Sequence, residues 1–337
     1  MKICNEPFEN LEINTLGDAY FCCAHHIDKK SIGNIFKTTF EDVWNSKQAV
    51  DCRTRVLKNN YSLCNSSACY NLSTPDVNFV KKAEQMKPVM EKFPLRIKLM
   101  HDNECNANCI ICREHIIRRS DEELEDLNSK IETIFLPLLK DAQVVVLNAA
   151  GDPFGSRHNR KLIKKITETY PNIKFELHTN GILASKEMLD DLGLTGKIYK
   201  AVVSIHASTK ETYDKIVLNG NFDKTMKNTA YFAELFHKKE VFGVDMCFVV
   251  NSLNYHEMPD FLKIAKSLGV QAFFWEYRQQ GCYIDEHYED LAIHLKSHKD
   301  HDKLIEVLSN EIFDSVDNNP LHPTLNNLRK SQSTAEL

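Results

Sequence analysis

The chain has 337 residues, of which 42% are hydrophobic and 26% are charged, as expected of a globular protein with a sizeable core. The formal net charge is −5, and no block of basic residues stands out, which argues against nucleic acid as a partner. No apolar run reaches the ~18 residues of a membrane span, and the N-terminus has no apolar signal core. We therefore expect a cytoplasmic protein without a membrane contact.

Cysteine is unusually frequent, with eleven residues in the chain. Disulfides are rare in a reducing compartment, so the cysteines need another explanation. Most of them lie in polar, turn-like sequence and fall into two groups, one within residues 1–70 and one within residues 105–112. Metal or iron–sulfur ligation explains such groups better than buried free thiols do.

Residues 1–72 have the pattern of a small cysteine-rich domain. Leu11–Asn14 and Ala19–Cys22 predict two short strands around a glycine–aspartate turn, and Phe40–Gln48 predicts a helix. Residues 73–94 are polar and contain three prolines, which is typical of a linker.

From residue 95 onwards, short apolar runs alternate with amphipathic segments. The apolar runs predict six strands: Leu95–Met100, Gln143–Asn148, Lys174–His178, Lys200–Ile205, Gly243–Val250 and Gln271–Trp275. Helices are predicted near 120–140, 159–170, 185–192, 222–238 and 256–268. Two helix starts have capping signals: Ser120 with Glu123, and Ser208 with Glu211.

Six successive βα units imply parallel strands with right-handed crossovers, two short of a closed eight-stranded barrel. The expected fold class is therefore α/β, with a partial (βα)6 TIM-like barrel over residues 95–279; a flat doubly wound sheet is the alternative. In both cases the site belongs at the carboxyl ends of the strands. Residues 280–337 predict a C-terminal helical segment that ends in a mobile polar tail from Asn326.

Cys105, Cys109 and Cys112 lie on one loop directly after the first barrel strand, with three and then two residues between them. Three thiolates leave one iron of a four-iron cluster without a protein ligand, and that iron can chelate a cosubstrate. A structural zinc site is the alternative, and it normally has four ligands. His101 and His115 are candidates for the fourth.

This loop resembles the signature of the radical S-adenosylmethionine (SAM) superfamily, and the resemblance covers about residues 95–277. Ala150-Gly151-Asp152-Pro153 looks like the family's Gly-Gly-Glu-Pro segment, which contacts the methionine amino group. The third strand ends in Thr179-Asn180-Gly181, a common ending in the family. The resemblance implies cofactor contacts at the following residues: Gly151, Asp152, Ser204, His206, Asn251 and, packing near the adenine, Ile111.

The resemblance also implies the chemistry. Cys105, Cys109 and Cys112 would hold a [4Fe–4S] cluster, and an external reductant of flavodoxin or ferredoxin type would supply the electron that cleaves S-adenosyl-L-methionine to a 5′-deoxyadenosyl radical. The expected enzyme is a radical oxidoreductase or maturase that acts on a peptide or protein side chain or on a sugar-type small molecule. One alternative is a radical isomerase or methylating enzyme for a nucleotide or nucleic acid. From another class, a zinc-stabilised binding protein without catalysis is the alternative.

The N-terminal cysteines resemble the SPASM or twitch auxiliary iron–sulfur domain of many radical enzymes. The first cysteine precedes a proline, the next follows the predicted hairpin, and the last pair ends the domain. The resemblance implies that a second, auxiliary [4Fe–4S] cluster is held by Cys4, Cys22, Cys64 and Cys69. Cys23 is an alternative to Cys22, and a zinc site helped by His25 and His26 is an alternative to the cluster.

Several other features carry weaker signals. Cys282 follows the last strand and is a candidate hydrogen donor to a substrate radical, which makes it the one catalytic candidate. Glu276, Tyr277 and Arg278 are candidate substrate contacts because they follow the sixth strand. Three further histidines share a helical face but lie among charged residues, so we interpret them as solvated surface: His294, His298 and His301.

Overall fold

The computed structural model describes residues 4–22, 31–64, 69, 86–147, 150–279, 286–314 and 320–333. Cys23, His25, His26 and Cys282, named above, lie outside these residues. The chain divides into two compact units. The first unit comprises residues 1–104 and 119–176, and the second comprises residues 105–118 and 177–337.

The described residues contain eleven strands. In chain order they are β1 (Asn10–Ile13), β2 (Asp18–Tyr20), β3 (Gly33–Asn34), β4 (Arg96–Leu99), β5 (Asn108–Cys109), β6 (Val144–Leu147), β7 (Lys174–Thr179), β8 (Ile198–Ser204), β9 (Val217–Leu218), β10 (Gly243–Val250) and β11 (Gln271–Glu276). All six predicted barrel strands are present, as β4, β6, β7, β8, β10 and β11. The predicted α/β fold class with a partial TIM-like barrel is thereby confirmed.

The first unit contains the strand order β3–β2–β1–β4–β6, followed by the start of β7. Strand β4 is parallel to β6, with Arg96 opposite Val144. In the second unit the end of β7 is followed by β8, β10 and β11. Strand β10 is parallel to both of its neighbours, as the βα pattern requires.

Helices follow most strands, as predicted. In chain order they are α1 (Glu6–Glu9), α2 (Phe40–Trp44), α3 (Lys47–Leu57), α4 (Asp121–Lys130), α5 (Leu136–Leu138), α6 (Arg157–Thr169), α7 (Lys186–Asp191), α8 (Lys210–Ile216), α9 (Phe222–His237), α10 (Met258–Ser267), α11 (Tyr288–Leu291), α12 (His301–Leu308) and α13 (Pro323–Ser333). A π-helical turn at Ile131–Phe135 joins α4 to α5. No helix in the described part of the chain is both long and apolar enough to cross a membrane.

One of the two predicted helix caps is correct. At the start of α4, Ser120 accepts a hydrogen bond from the Glu123 backbone, and the Glu123 side chain accepts one from the Ser120 backbone. The prediction for Ser208 is wrong, because Thr209 caps α8 instead. The backbone N–H and the hydroxyl of Ser208 both donate to the buried Glu257 carboxylate. This partner lies 49 residues away, so the local pattern could not reveal it.

The N-terminal hairpin is part of the main sheet. Strand β1 is antiparallel to β2 on one side and parallel to β4 on the other, with Asn10 opposite Arg96. The Lys98 ammonium lies 2.9 Å from the Glu12 carboxylate across this pairing. The sequence predicted the two hairpin strands but not their union with the first barrel strand.

The helix predicted at Phe40–Gln48 is two helices. The helix α2 ends at Trp44, and Ser46 caps α3 by accepting a hydrogen bond from the Ala49 backbone. The break lies at Asn45, whose side-chain oxygen accepts a 2.8 Å hydrogen bond from the Met90 backbone. Met90, a residue of the predicted linker, thus hydrogen-bonds to the Asn45 side chain at the point where α2 ends.

The structure also differs from the predicted mobile tail. Residues 326–333 continue α13, and Leu325 is fully buried. The Arg329 guanidinium donates to the Leu308 carbonyl at 2.8 Å and pairs with Asp314 at 2.6 Å. These distant partners hold a segment that is polar by composition. The domain boundaries at 72, 94 and 279 stay a prediction.

Candidate functional site

The three-cysteine loop is anchored within the second unit by its backbone. Strand β5 pairs with β9, so that Cys109 lies opposite Val217. The Ile110 N–H donates to the Ile216 carbonyl at 3.0 Å, and the Cys112 N–H donates to the Cys109 carbonyl at 2.9 Å. Main-chain hydrogen bonds therefore help to set the positions of the second and third cysteines.

The three thiols share one cationic neighbour. The Arg113 guanidinium donates to Cys112 Sγ at 3.5 Å and interacts electrostatically with Cys105 and Cys109. Burial alone would lower the pKa of Arg113, but the neighbouring sulfurs outweigh burial and raise it. Three soft sulfur donors on one pinned loop, beside a positive charge, suit an anionic iron–sulfur cluster.

Asn180 reaches this loop from the end of β7. Its Nδ2 lies 3.7 Å from Cys105 Sγ and 3.0 Å from Asn106 Oδ1. The motif Thr179-Asn180-Gly181 was recognised in the sequence as a family ending, but its contact with a cysteine sulfur was not.

In the first unit, the Gly151-Asp152 segment packs closely against the backbone that precedes Cys105. The Asp152 N–H donates to the Glu104 carbonyl at 2.9 Å. A Cβ atom at Gly151 would lie 2.0 Å from the same Glu104 oxygen, so this position admits only glycine. The Asp152 side chain is buried, and its Oδ1 accepts hydrogen bonds from the Phe154 and Gly155 N–H groups.

A buried network that the sequence analysis missed joins the two chain segments flanking the cysteine loop. The Glu104 carboxylate accepts hydrogen bonds from the N–H groups of Arg119 and Arg157, at 2.8 and 3.0 Å. The Asp102 carboxylate accepts from the Ser156 hydroxyl and, at 2.7 Å, from the Arg119 guanidinium. Burial would raise the pKa of Asp102, but these hydrogen bonds lower it. The acids next to the motif were visible in the sequence, but their partners were not.

Three of the histidines considered as metal ligands, His101, His298 and His301, have other partners. His101 is buried, and its Nε2 lies 2.9 Å from Nε2 of His158. The interpretation of these helical histidines as solvated surface is wrong for His298, which is buried. His298 and His301 each lie within hydrogen-bond distance of a backbone carbonyl, of Asp290 and Ile293 respectively. Within the described ranges, no three His, Cys, Asp or Glu side chains converge in a way that could hold a single metal ion.

At the end of β8, His206 is held in one tautomer. Its Nδ1 accepts a 3.0 Å hydrogen bond from the Val249 N–H, so the proton of the neutral ring lies on Nε2. Burial lowers its pKa to about 4, which keeps the ring neutral at neutral pH. Its φ of 65° is a left-handed conformation, and its carbonyl accepts a 2.8 Å hydrogen bond from Asn254 Nδ2. The Nε2–H is thus a donor with a defined direction.

The other predicted cofactor contacts have different surroundings. Asn251 is buried; its Nδ2 donates to the Val249 carbonyl, and its Oδ1 accepts from the Leu253 N–H. Both polar atoms of the Asn251 side chain therefore make hydrogen bonds with the backbone at the end of β10 and in the loop after it. Ser204 is half-buried at the end of β8, and Ile111 is buried on the cysteine loop.

The substitution His206→Asn should preserve the fold and make the free energy of unfolding depend less on pH. Asparagine places an acceptor near the position of Nδ1 and tolerates positive φ. The unfolded chain binds a proton at His206 below pH ~6.5. The native ring stays neutral down to about 4, so the wild type loses up to about 1.4 kcal/mol per pH unit as the pH falls through this window.

Urea unfolding between pH 7 and pH 4 measures how the free energy of unfolding changes with pH. The contribution of His206 to this change should be absent from the His206→Asn variant. The matched variant His206→Leu leaves the Val249 N–H unpaired and should lose about 1–3 kcal/mol at pH 7. Equal slopes for wild type and His206→Asn would contradict the neutral-ring assignment.

Cysteines near the N-terminus form a second set of thiols within the first unit, the second thiol group: Cys4, Cys22, Cys64 and Cys69. Burial raises the pKa of Cys4 to about 12 and raises that of Cys22 further. Each of these two interacts electrostatically with Cys64 and Cys69, and Cys22 also interacts with Cys4. The four predicted ligands therefore lie within electrostatic range of one another, although Cys4 and Cys69 are 65 positions apart in the sequence.

Cys52 and Tyr61 lie next to this second group. Cys52 is buried on α3 and interacts electrostatically with Cys64. The Tyr61 hydroxyl accepts a 3.1 Å hydrogen bond from the Cys4 N–H, which ties the start of the chain to the segment after α3.

At the end of β11, the Glu276 carboxylate is buried among polar partners. It lies 2.7 Å from His322 Nδ1, accepts a 3.0 Å hydrogen bond from the Thr324 hydroxyl and pairs with Arg278. Burial opposes its charge, but the close contact with His322 and the positive charge of Arg278 lower its pKa to about 2. Tyr277 is buried, so Arg278, with a side chain 37% exposed, is the more accessible of the two candidate contacts.

Comparison with known proteins identifies the family to which these thiol groups belong. The family model described as the radical SAM superfamily matches residues 100–265, and the SPASM model, described as an iron–sulfur cluster-binding domain, matches residues 4–70. Each match contains one of the two cysteine groups, and together they place the chain in the class of iron–sulfur enzymes. The chain belongs to the radical SAM superfamily and carries a SPASM domain at its N-terminal end.

Two relatives and one solved structure show how far the similarity extends. FeMo cofactor biosynthesis protein NifB of Methanocaldococcus infernus is 25% identical over 162 residues, which is 44% of this chain and 52% of the relative. A probable GTP 3′,8-cyclase of Saccharolobus islandicus is 28% identical over 181 residues, 52% of this chain and 54% of the relative. The chain thus spans about half the length of these relatives. Streptococcus suis SuiB bound to its precursor peptide SuiA aligns with a TM-score of 0.46 at 15% identity, covering 95% of this chain and 72% of SuiB.

Family membership makes the chain an enzyme and confirms the predicted cofactors. The radical SAM domain implies a [4Fe–4S] cluster and S-adenosyl-L-methionine, and the SPASM domain implies auxiliary iron–sulfur binding. Such an enzyme needs a source of electrons and a substrate.

Proposed function

We propose that Cys105, Cys109 and Cys112 hold the [4Fe–4S] cluster that binds S-adenosyl-L-methionine. The observation that carries this proposal is that all three thiols interact with the Arg113 guanidinium, on a loop whose backbone is held by the pairing of β5 with β9. The donor set fits the cluster because it is all sulfur and leaves one of four irons open.

In this proposal the cluster supplies one-electron cleavage of S-adenosyl-L-methionine, and the surrounding side chains bind and orient that molecule. By the family resemblance, Gly151 and Asp152 would contact its amino group, and His206, whose neutral ring has its proton on Nε2, would donate from that atom. Ser204, Asn251 and Ile111 are the remaining proposed contacts. Cys282 is proposed as a candidate hydrogen-atom donor to a substrate radical.

The N-terminal cysteines Cys4, Cys22, Cys64 and Cys69 are proposed to hold an auxiliary [4Fe–4S] cluster, with Cys23 as the alternative to Cys22. The electrostatic interactions of Cys4 and Cys22 with the other cysteines support this proposal. Because four protein thiolates leave no open iron, this cluster would transfer electrons and would not bind substrate.

For the reaction, we favour oxidation or modification of a peptide or protein side chain, or of a sugar-type metabolite, with electrons from a flavodoxin or ferredoxin type of reductant. An auxiliary cluster suits such a reaction because it can accept the electron that hydrogen abstraction leaves on the substrate. A nucleotide substrate is the second candidate, and the 28% identity to a probable GTP cyclase supports it. The cytoplasmic location stays a prediction.

Anaerobic reconstitution followed by iron and sulfide analysis tests both cluster proposals. We expect about eight irons per chain, and release of 5′-deoxyadenosine after reduction with dithionite. About four irons would remove the N-terminal cluster from the proposal. Zinc alone, without 5′-deoxyadenosine, would overturn the proposed function in favour of a zinc-stabilised binding protein. Product analysis with a peptide, a sugar and GTP then separates the substrate classes.

A further inference from the structure

The side-chain amide of Asn180 has a defined orientation. Its Oδ1 accepts a 3.0 Å hydrogen bond from the Ile182 N–H, so the oxygen must face its own loop. The nitrogen then faces Cys105 Sγ at 3.7 Å and Asn106 Oδ1 at 3.0 Å. An amide nitrogen carries two N–H groups, one for each of these acceptors, and sulfur accepts at longer distances than oxygen because it is larger.

The backbone around Asn180 is held from both sides. The Asn180 carbonyl accepts a 3.1 Å hydrogen bond from the buried Thr225 hydroxyl, which lies 3.1 Å from the Tyr213 hydroxyl. The next carbonyl, that of Gly181, accepts a 2.7 Å hydrogen bond from Asn228 Nδ2. Gly181 has a φ of 77°, and a Cβ there would approach Val203 to 2.9 Å. The strand end therefore presents the amide to Cys105 from a rigid support.

A second donor reaches another sulfur of the same loop. Arg113 donates to Cys112 Sγ at 3.5 Å and carries a positive charge near all three thiols. Cys105 and Cys112 thus each have a side-chain donor, one neutral and one cationic. Hydrogen bonds to ligand sulfurs and nearby positive charge both stabilise the reduced, more negative state of an iron–sulfur cluster.

We propose that Asn180, through its N–H···S contact with Cys105 and together with Arg113, raises the reduction potential of the cluster on the Cys105–Cys112 loop. This inference rests on the proposed function, because it requires that the loop hold a cluster. The reduced cluster carries more negative charge on its thiolates, so a donor to Cys105 Sγ favours reduction. Losing the donor makes the cluster harder to reduce by a given reductant.

The substitution Asn180→Asp tests the proposal with little change in shape. Aspartate keeps the acceptor for the Ile182 N–H and replaces the donor to Cys105 with a carboxylate oxygen. We expect the potential of this cluster, measured by an EPR-monitored redox titration of reconstituted protein without S-adenosyl-L-methionine, to move to a more negative value. The potential of the N-terminal cluster in the same sample should not move. An unchanged potential of the loop cluster in Asn180→Asp would overturn the proposal.

Asn106→Ala is the matched control, because it removes the 3.0 Å contact with Asn180 and leaves the donor to Cys105 in place. We expect no shift of potential in this variant. A shift equal to that of Asn180→Asp would mean that loop anchoring, and not the N–H···S contact, sets the potential, which overturns the proposal.

Arg113→Gln and Arg113→Lys provide a second measurement should Asn180→Asp bind iron poorly. The glutamine variant should shift the potential in the same negative direction, and the lysine variant should shift it less because the charge is retained. No shift in Arg113→Gln would overturn the part assigned to Arg113. If no EPR signal of the reduced wild type changes on addition of S-adenosyl-L-methionine, the proposed function itself fails. A responsive signal with unshifted potentials defeats only this inference.

Discussion

Replacing Cys105 with alanine is expected to abolish 5′-deoxyadenosine formation and to remove about four of about eight irons per chain. The loop offers three thiolates to a cluster that already has one iron without a protein ligand, so the loss of a second protein ligand leaves it unable to hold a cubane. The chain should remain folded, because β5, β9 and the Ile110–Ile216 hydrogen bond do not involve the Cys105 side chain. Iron analysis, thermal unfolding and product chromatography measure the three expectations.

Two matched variants make this result specific. Cys247 is buried in β10 outside both thiol groups, so Cys247→Ala should retain about eight irons. Cys22→Ala should lose the irons of the N-terminal group and still release 5′-deoxyadenosine, and comparison with Cys23→Ala identifies the ligand of the two. Formation of 5′-deoxyadenosine by Cys105→Ala at the wild-type rate would contradict the assignment of the cluster to this loop.

The features that the sequence predicted well depend on neighbouring residues. The apolar run Gly243–Val250 predicts a strand from neighbouring residues alone, and that strand has the predicted bounds. The three cysteines lie within eight positions of one another, so their spacing alone indicates a shared ligand. The capping box at Ser120 likewise needs only the residue three positions further on.

The features that the sequence did not predict depend on distant partners. The pairing of β1 with β4 joins residues about 86 positions apart, and an antiparallel hairpin gives no sign of a parallel neighbour on its other edge. Ser208 had the local pattern of a cap, but its backbone N–H and its hydroxyl donate instead to the carboxylate of Glu257. In the site, Asn180 lies 75 positions from Cys105, and nothing in either segment indicates the contact.

The substitution Gly151→Ala is expected to be the most damaging change outside the cysteines. The added Cβ would lie 2.0 Å from the Glu104 carbonyl oxygen and 2.8 Å from the Asn103 carbonyl carbon. Both are backbone atoms, which cannot rotate aside as the end of a flexible side chain can. Glu104 is itself held by hydrogen bonds from the Arg119 and Arg157 backbones, so the turn must move instead. We expect a loss of about 1–3 kcal/mol in the free energy of unfolding, as for other overpacked sites.

The displacement should also weaken binding of S-adenosyl-L-methionine, because the turn that moves carries Asp152. The Asp152 N–H would lose its hydrogen bond to Glu104, and its carboxylate would move with the turn. A shift worth about 1.4 kcal/mol in binding corresponds to about a tenfold higher Kd, and equilibrium binding to the reconstituted protein measures it. Gly243→Ala is the control, since a Cβ there meets only the Lys200 side chain at 3.8 Å and should change neither quantity. Wild-type stability in Gly151→Ala would show that the Glu104 backbone gives way, and the close approach would then have no role in placing Asp152.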